Sequence, residues 1–142
     1  MIYVFLANGF EEIEALTPVD LLRRAGFEVK TVSVGESKTV IGAHGISVVA
    51  DISENEYSDA TPEAIILPGG MPGTTNLEES EIVVSAIHQA MLDGVLVGAI
   101  CAAPSILGIC GYLKNKNATC FPGFEQYLDG ATVIDARVVR DG

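Results

Sequence analysis

Hydrophobic and polar residues along this chain alternate between two patterns. MIYVFLA (1–7) is a continuous apolar run rich in β-formers, the mark of a strand buried on both faces. After Asn8-Gly9, the residues Ile13, Leu16, Val19, Leu22 and Ala25 recur at helical spacing, which predicts a helix over 11–25 stopped by Gly26. Pro18 interrupts that pattern, and Thr17 is expected to cap a fresh first turn before it. FEVKTVSV (27–34) alternates as a second strand, VIGAHGISVVA (40–50) reads as a short hairpin broken by glycine, and AIILP (64–68) as a third buried strand. An amphipathic helix follows over 81–93, then a buried strand VLVGAI (95–100) and a helix PSILGICGYL (104–113). NATCF (117–121) predicts a short strand, and ATVIDARVVRDG (131–142) a hairpin turning near Asp135.

Buried strands alternating with amphipathic helices predict an α/β domain, a parallel sheet with helices on both faces. No repeat, low-complexity stretch or linker divides the 142 residues, so a single domain over 1–142 is expected. In such folds ligands gather beyond the carboxyl ends of the strands. Three stretches of unusual composition fall there: Asn8–Glu14, Gly69–Gly73 and Cys101–Ala103.

Composition narrows the function. The net charge of −11 repels phosphate backbones, so no nucleic-acid partner is expected. Apolar runs are strand-length, so no membrane span is expected, and a start without a basic leader points to the cytoplasm. Three cysteines without paired spacing form neither a disulfide framework nor a zinc site, so neither metal nor cofactor is expected.

Cys101 stands where the strand 95–100 turns into a helix, with Ala99 and Ala103 two residues away on either side. A nucleophile on so tight a turn needs small neighbours at those positions. Unpaired N–H groups at the helix start favour a thiolate, and Gly69-Gly70 is placed to add another donor. The alternative is that Cys101 is a small buried hydrophobe, as free cysteines usually are. Cys110 reads as core, and Cys120 as packing or a resolving thiol. His44 and His88 read as surface residues, and neither is placed as a base. The acids after the first strand remain. Glu11 and Glu12 suit a helix start, whereas Glu14 lies toward the elbow, where a protonated carboxyl would donate a hydrogen bond to sulfur or shuttle a proton.

LANGFEEIEALTPVDLLRRAG (6–26), ILPGGMPGTTNL (66–77) and GAICAAPSIL (98–107) together resemble the ThiJ/PfpI superfamily. The nearest branch holds the Parkinson-associated protein, bacterial ThiJ-like proteins and reported deglycases. The resemblance implies a flavodoxin-like sandwich and a homodimer. It matches Cys101 to an oxidation-sensitive nucleophile and Glu14 to its partner acid. It also matches Gly70 and Ala102 to backbone N–H donors at the sulfur, and Arg24 to an anion-attracting residue near the dimer interface. Where some members carry a histidine before a proline, this chain has Phe121 before Pro122. Ala102 replaces the histidine of the protease-like branch, and the His-x-Glu of class I amidotransferases is absent, so peptidase and amidotransferase activities are disfavoured. Members of the family continue with a further strand, a Gly-Pro loop and a helix, so the domain over 1–142 is expected to be incomplete at its C-terminal side. Two functions follow from the resemblance. One is cofactor-independent glyoxalase or deglycase chemistry on small aldehydes or their adducts. The other is a redox sensor or chaperone working through reversible oxidation of Cys101.

Overall fold

The computed structural model describes residues 1–58 and 61–142. In chain order the elements are β1 (Ile2–Leu6), α1 (Glu12–Arg24), β2 (Val29–Ser33), β3 (Thr39–Ile41), β4 (Ser47–Val49), β5 (Ile52–Ser53), β6 (Ala64–Leu67), α2 (Gly73–Glu78), α3 (Glu81–Leu92), β7 (Leu96–Ala99), α4 (Pro104–Ile109), β8 (Asn117–Ala118) and β9 (Thr132–Val133). Among the described residues, five parallel strands form the main sheet in the order β5-β2-β1-β6-β7. The expected α/β sheet with helices on both faces is therefore the fold.

Successive side chains of a strand point to opposite faces, and β1 supplies both cores. Tyr3, Phe5 and Ala7 pack with Ile65 and Leu67 of β6, Val83 and Ile87 of α3, and Ile106 of α4. Ile2, Val4 and Leu6 pack with Phe10, with Ala15 and Val19 of α1, and with Val40 of β3. The continuous apolar run of β1 follows from that two-sided burial.

Several local expectations are corrected. Pro18 lies inside an unbroken α1 rather than starting a new helix at Thr17. It brings no N–H to the Glu14 carbonyl four residues back, so that turn lacks one helical hydrogen bond. The glycine stretch after β6 runs into α2, a helix the pattern did not show. The strand at 95–100 is not buried throughout: β7 is a sheet edge, with Leu96 50% and Ile100 48% exposed. Helix α4 ends at Ile109, four residues before the expected end. The Tyr112 N–H returns to the Leu107 carbonyl (3.0 Å) and the Gly111 N–H to that of Gly108 (2.9 Å), with Gly111 at φ 80°. This left-handed helix stop suits a residue without Cβ. Cys110 accordingly caps the helix rather than sitting within it.

The expected hairpin at 131–142 does not form. Instead β9 pairs in parallel with β8, Asn117 opposite Thr132. The chain end returns through side-chain contacts, the Asn117 N–H donating to Asp141 Oδ2 at 2.8 Å.

Candidate active site

Strands β1, β6 and β7 are neighbours in one parallel sheet, so their carboxyl ends bring the three unusual stretches together. The Glu11 N–H donates to the Gly69 carbonyl (2.9 Å) and the Gly73 N–H to that of Gly9 (3.2 Å), which locks the first loop onto the second. The Ile100 N–H donates to the Leu67 carbonyl (3.2 Å), carrying the sheet pairing to the edge of the elbow.

Cys101 sits at φ 61°, in the left-handed region that side chains avoid. Ala102 and Ala103 behind it are buried, and Pro104 opens α4. Cys101 is half-buried, and the groups that bear on its sulfur are the Ala102 and Gly70 N–H groups and the Glu14 carboxyl. The Gly69 N–H holds Glu14 Oε2 at 2.9 Å. Gly69 has to be glycine for space: a Cβ there would lie 2.6 Å from both the Cys101 Cβ and Glu14 Oε2. Gly70 has to be glycine for conformation, at φ 91°. Helix α4 has only six residues, so the influences that favour the thiolate are those two N–H groups rather than a long helix dipole.

Burial pushes the Cys101 thiol up, the negative charge of Glu14 and its hydrogen bond push it further, and the Ala102 and Gly70 N–H groups pull it down. The net direction is upward. A thiolate held low by the helix start is therefore not what this geometry gives while Glu14 carries its charge.

The other residues singled out by the sequence lie apart from this pair. Arg24 is exposed, bonded to Asp20 Oδ2 at 2.8 Å, and about 15 Å along α1 from Glu14. His88 bonds the Tyr112 hydroxyl at 2.6 Å. The Cys120 thiol is pushed up by burial and then by Glu125, while its neighbour Phe121 donates its N–H to the Cys101 carbonyl at 2.7 Å.

One pairing escaped the sequence reading. Glu12, expected only to favour a helix start, is buried and receives both the His44 N–H and His44 Nδ1 at 2.8 Å. His44 hydrogen bonding lowers the Glu12 carboxyl from 4.5 to about 2, and the same contact, with the charge of Glu11, raises His44. The pair fastens the β3–β4 hairpin to the start of α1. With Glu11 it puts three metal-ligating atoms within 4.8 Å of one another. Gly42 leaves room for the pair, since a Cβ there would fall 2.2 Å from Glu12 Oε1.

The family profile described as DJ-1/PfpI matches residues 1–142. The chain belongs to the DJ-1/PfpI family. Within it, Protein DJ-1 homolog B of Arabidopsis thaliana is 38% identical over 139 residues, 96% of this chain but 32% of the relative. This chain thus spans about a third of the length of the two Arabidopsis relatives. Deglycase PH1704 of Pyrococcus horikoshii is 35% identical over 139 residues, covering 96% of this chain and 82% of that protein. Among solved structures, a cysteine-to-alanine mutant of the DJ-1 superfamily protein STM1931 from Salmonella typhimurium superposes with a TM-score of 0.95 at 35% identity, over 99% of this chain and 77% of that one. DJ-1beta of Drosophila melanogaster follows at 0.93 and 31%, over 99% of this chain and 77% of its own. The ThiJ/PfpI resemblance and the flavodoxin-like fold it implied both hold for this DJ-1/PfpI chain.

Proposed function

We propose that this chain is a cysteine-dependent protein of carbonyl and oxidative stress, using Cys101 to attack small dicarbonyl aldehydes or their early adducts. The observation that carries the reading is the packing of the Glu14 carboxyl and the Cys101 thiol around one glycine, a Cβ on Gly69 falling 2.6 Å from Glu14 Oε2 and 3.1 Å from the sulfur, on a strained elbow. Relatives named deglycases support it.

The pair works by sharing a proton. When the thiol proton passes to the Glu14 carboxylate, repulsion at sulfur gives way to a donated hydrogen bond, and the Ala102 and Gly70 N–H groups hold the thiolate. The sulfur then bonds to the aldehyde carbon, the carbonyl electron pair moves to oxygen, and Glu14 returns the proton there to give a hemithioacetal. For methylglyoxal, Glu14 takes the proton from the former aldehyde carbon and returns one to the adjacent ketone carbon, while the hydroxyl proton on the first carbon passes to the ketone oxygen, leaving a thioester. Water cleaves the thioester to lactate and frees the thiol. No external oxidant enters, because one carbon is oxidised as its neighbour is reduced.

The test is lactate formation from methylglyoxal by wild type, Cys101→Ser and Glu14→Gln. Turnover lost in both variants supports the proposal. Absence of wild-type lactate, with Cys101 selectively oxidised by stoichiometric peroxide, would replace it with the sensor reading.

The homodimer belongs to the same proposal. Ile13 of α1 is 73% exposed, and Ile46 and Val49 of the hairpin fastened to it by His44 are 53% and 72% exposed. Large apolar side chains left exposed on two tied elements favour a partner surface. Ile13→Glu is expected to convert a dimer to monomer in sedimentation velocity, and a wild type that is monomeric at high concentration would remove the proposal. Three free thiols fit a reducing compartment, and we place the protein in the cytoplasm on that ground.

A further inference from the structure

Where the β3–β4 hairpin meets the start of α1, one imidazole nitrogen and two carboxylate oxygens converge. His44 Nδ1 and an oxygen each of Glu11 and Glu12 all lie within 4.8 Å of one another. Nδ1 stands 2.8 Å from Glu12 Oε2 and 3.6 Å from Glu11 Oε1. Atoms sharing one tetrahedral zinc ion at about 2.0–2.2 Å lie roughly 3.3–3.5 Å apart, a spacing that those two distances bracket. The backbone sets these donors in place without their help. The Gly9 N–H donates to the Ile41 carbonyl (2.7 Å) and the Ala43 N–H to that of Phe10 (2.8 Å), joining the loop before α1 to the hairpin. The His44 N–H holds Glu12 Oε1 at 2.8 Å, which leaves Oε2 turned to the ring nitrogen. An outer hydrogen bond of that kind orients a metal-binding carboxylate. Glu14, two residues on, accepts the Gly69 N–H instead, since positions i and i+2 of a helix do not share a face.

Charge points the same way. Glu12 is 4% exposed, and a carboxylate so buried needs a cation to offset its lost hydration. Among the described residues no lysine or arginine pairs with Glu11 or Glu12, and their partner is His44. A neutral ring leaves the three groups with two negative charges, one of them shut away from water. A divalent cation supplies the opposite two. Imidazole together with carboxylates suits zinc and its first-row neighbours, whereas calcium and magnesium favour oxygen alone. The His44 side chain is 67% exposed, so the outer side of the site is open to the ion and to water as a further ligand.

We infer that Glu11, Glu12 and His44 form a binding site for a divalent transition-metal ion of the zinc type. The ion bonds to His44 Nδ1, Glu12 Oε2 and Glu11 Oε1, and any proton on Nδ1 leaves to solvent as it binds. Coordination replaces the hydrogen bond between His44 and Glu12 with a metal link from the hairpin to α1, stapling the face that carries Ile13, Ile46 and Val49. The site uses no atom of Cys101 and stands apart from the chemistry proposed there.

The experiment uses the full chain, stripped of metal by a chelator and carrying Cys101→Ser so that the elbow thiol takes no part. Cobalt(II) serves as the spectroscopic probe and zinc as the calorimetric one. A single equivalent of cobalt is expected to give visible d–d bands and paramagnetically shifted His44 ring protons, and zinc to raise the melting temperature. Glu11→Gln leaves the bond between His44 and Glu12 intact, so it is expected to fold like its parent. Its zinc affinity is expected to fall at least about tenfold, since losing even an outer-shell partner costs roughly 10–100-fold. His44→Gln is expected to lose the zinc-induced rise in melting temperature. Four results would overturn the site: no binding of either ion, a sulfur-to-cobalt charge-transfer band without shifted His44 signals, unchanged zinc affinity in either variant, or displacement of cobalt by equal magnesium.

Discussion

Replacing Gly69 with alanine asks the site a single steric question. Gly69 lies outside the left-handed region, so the added methyl brings no backbone strain, only contact. It would sit 2.6 Å from the Cys101 Cβ, 2.6 Å from Glu14 Oε2 and 3.1 Å from the Cys101 sulfur. Carbon atoms rest at about 3.5–4.0 Å, so the overlap with Cys101 is about 1 Å. Overpacking of this kind costs about 1–3 kcal/mol. Glu14 must also leave the Gly69 N–H that holds it at 2.9 Å, a hydrogen bond to a carboxylate worth roughly 1.5–3 kcal/mol. Relaxation is shared between the two effects, so a net loss of about 2–4 kcal/mol is expected, or roughly 7–13 °C in melting temperature at this chain length. Gly98→Ala is the control: its Cβ meets nothing closer than the Ile65 carbonyl oxygen at 3.9 Å. That variant is expected to be neutral or to gain up to about 1 kcal/mol through the unfolded chain. Scanning calorimetry of both proteins, with iodoacetamide labelling of Cys101, decides the matter. If Gly69→Ala melts with the wild type and labels at the same rate, the packing of Gly69, Glu14 and Cys101 described above is wrong.

Other expectations follow from the same geometry. In Glu14→Gln, two of the influences that push the Cys101 thiol up are removed, so the midpoint of its alkylation should move to lower pH; movement to higher pH would mean that the native carboxyl already donates its proton to sulfur. Glu12 titrates lower in the folded chain than its ordinary 4.5, so its contribution is complete above about 4.5 and fades as pH falls toward 2. His44 titrates higher than its ordinary 6.5, so its contribution is complete below 6.5 and fades as pH rises through the folded value. The stability gap between wild type and His44→Gln in urea should therefore be widest between about 4.5 and 6.5, and a gap independent of pH would dissolve the pairing. Gly108→Ala would place a Cβ 2.0 Å from the Tyr127 carbonyl oxygen, so a loss of about 3 kcal/mol or more is expected in denaturant melts, with disorder of Phe124 and Tyr127 in NMR spectra.

Much of this was legible because one physical signal dominated it. β1 reads as a buried strand since every residue from Ile2 to Leu6 is enclosed, and no surface position interrupts its apolar run. The meeting of Asn8–Glu14, Gly69–Gly73 and Cys101–Ala103 was legible because the carboxyl ends of adjacent strands must converge, whereas the match of Glu14 and Gly70 to Cys101 came from the family resemblance. Contacts across the fold were not legible. Nothing near Glu12 in sequence announces that His44, 32 residues away, will meet it. Helix α2 was hidden because Gly73 at its start is a poor helix former, and tertiary packing of Thr74 and Leu77 overrides that preference. The hairpin expected at 131–142 failed because alternation does not choose a partner: β9 found β8, whose two residues have no periodicity of their own.

The left-handed backbone at residue 101 sets a trap for protein engineering. A side chain held at φ 61° destabilises the folded chain by roughly 1–2 kcal/mol, and glycine would release that tension. A campaign selecting only for heat tolerance would therefore drift toward glycine at this position and discard the Cys101 thiol early, yielding a sturdier molecule without the group on which the proposed chemistry depends.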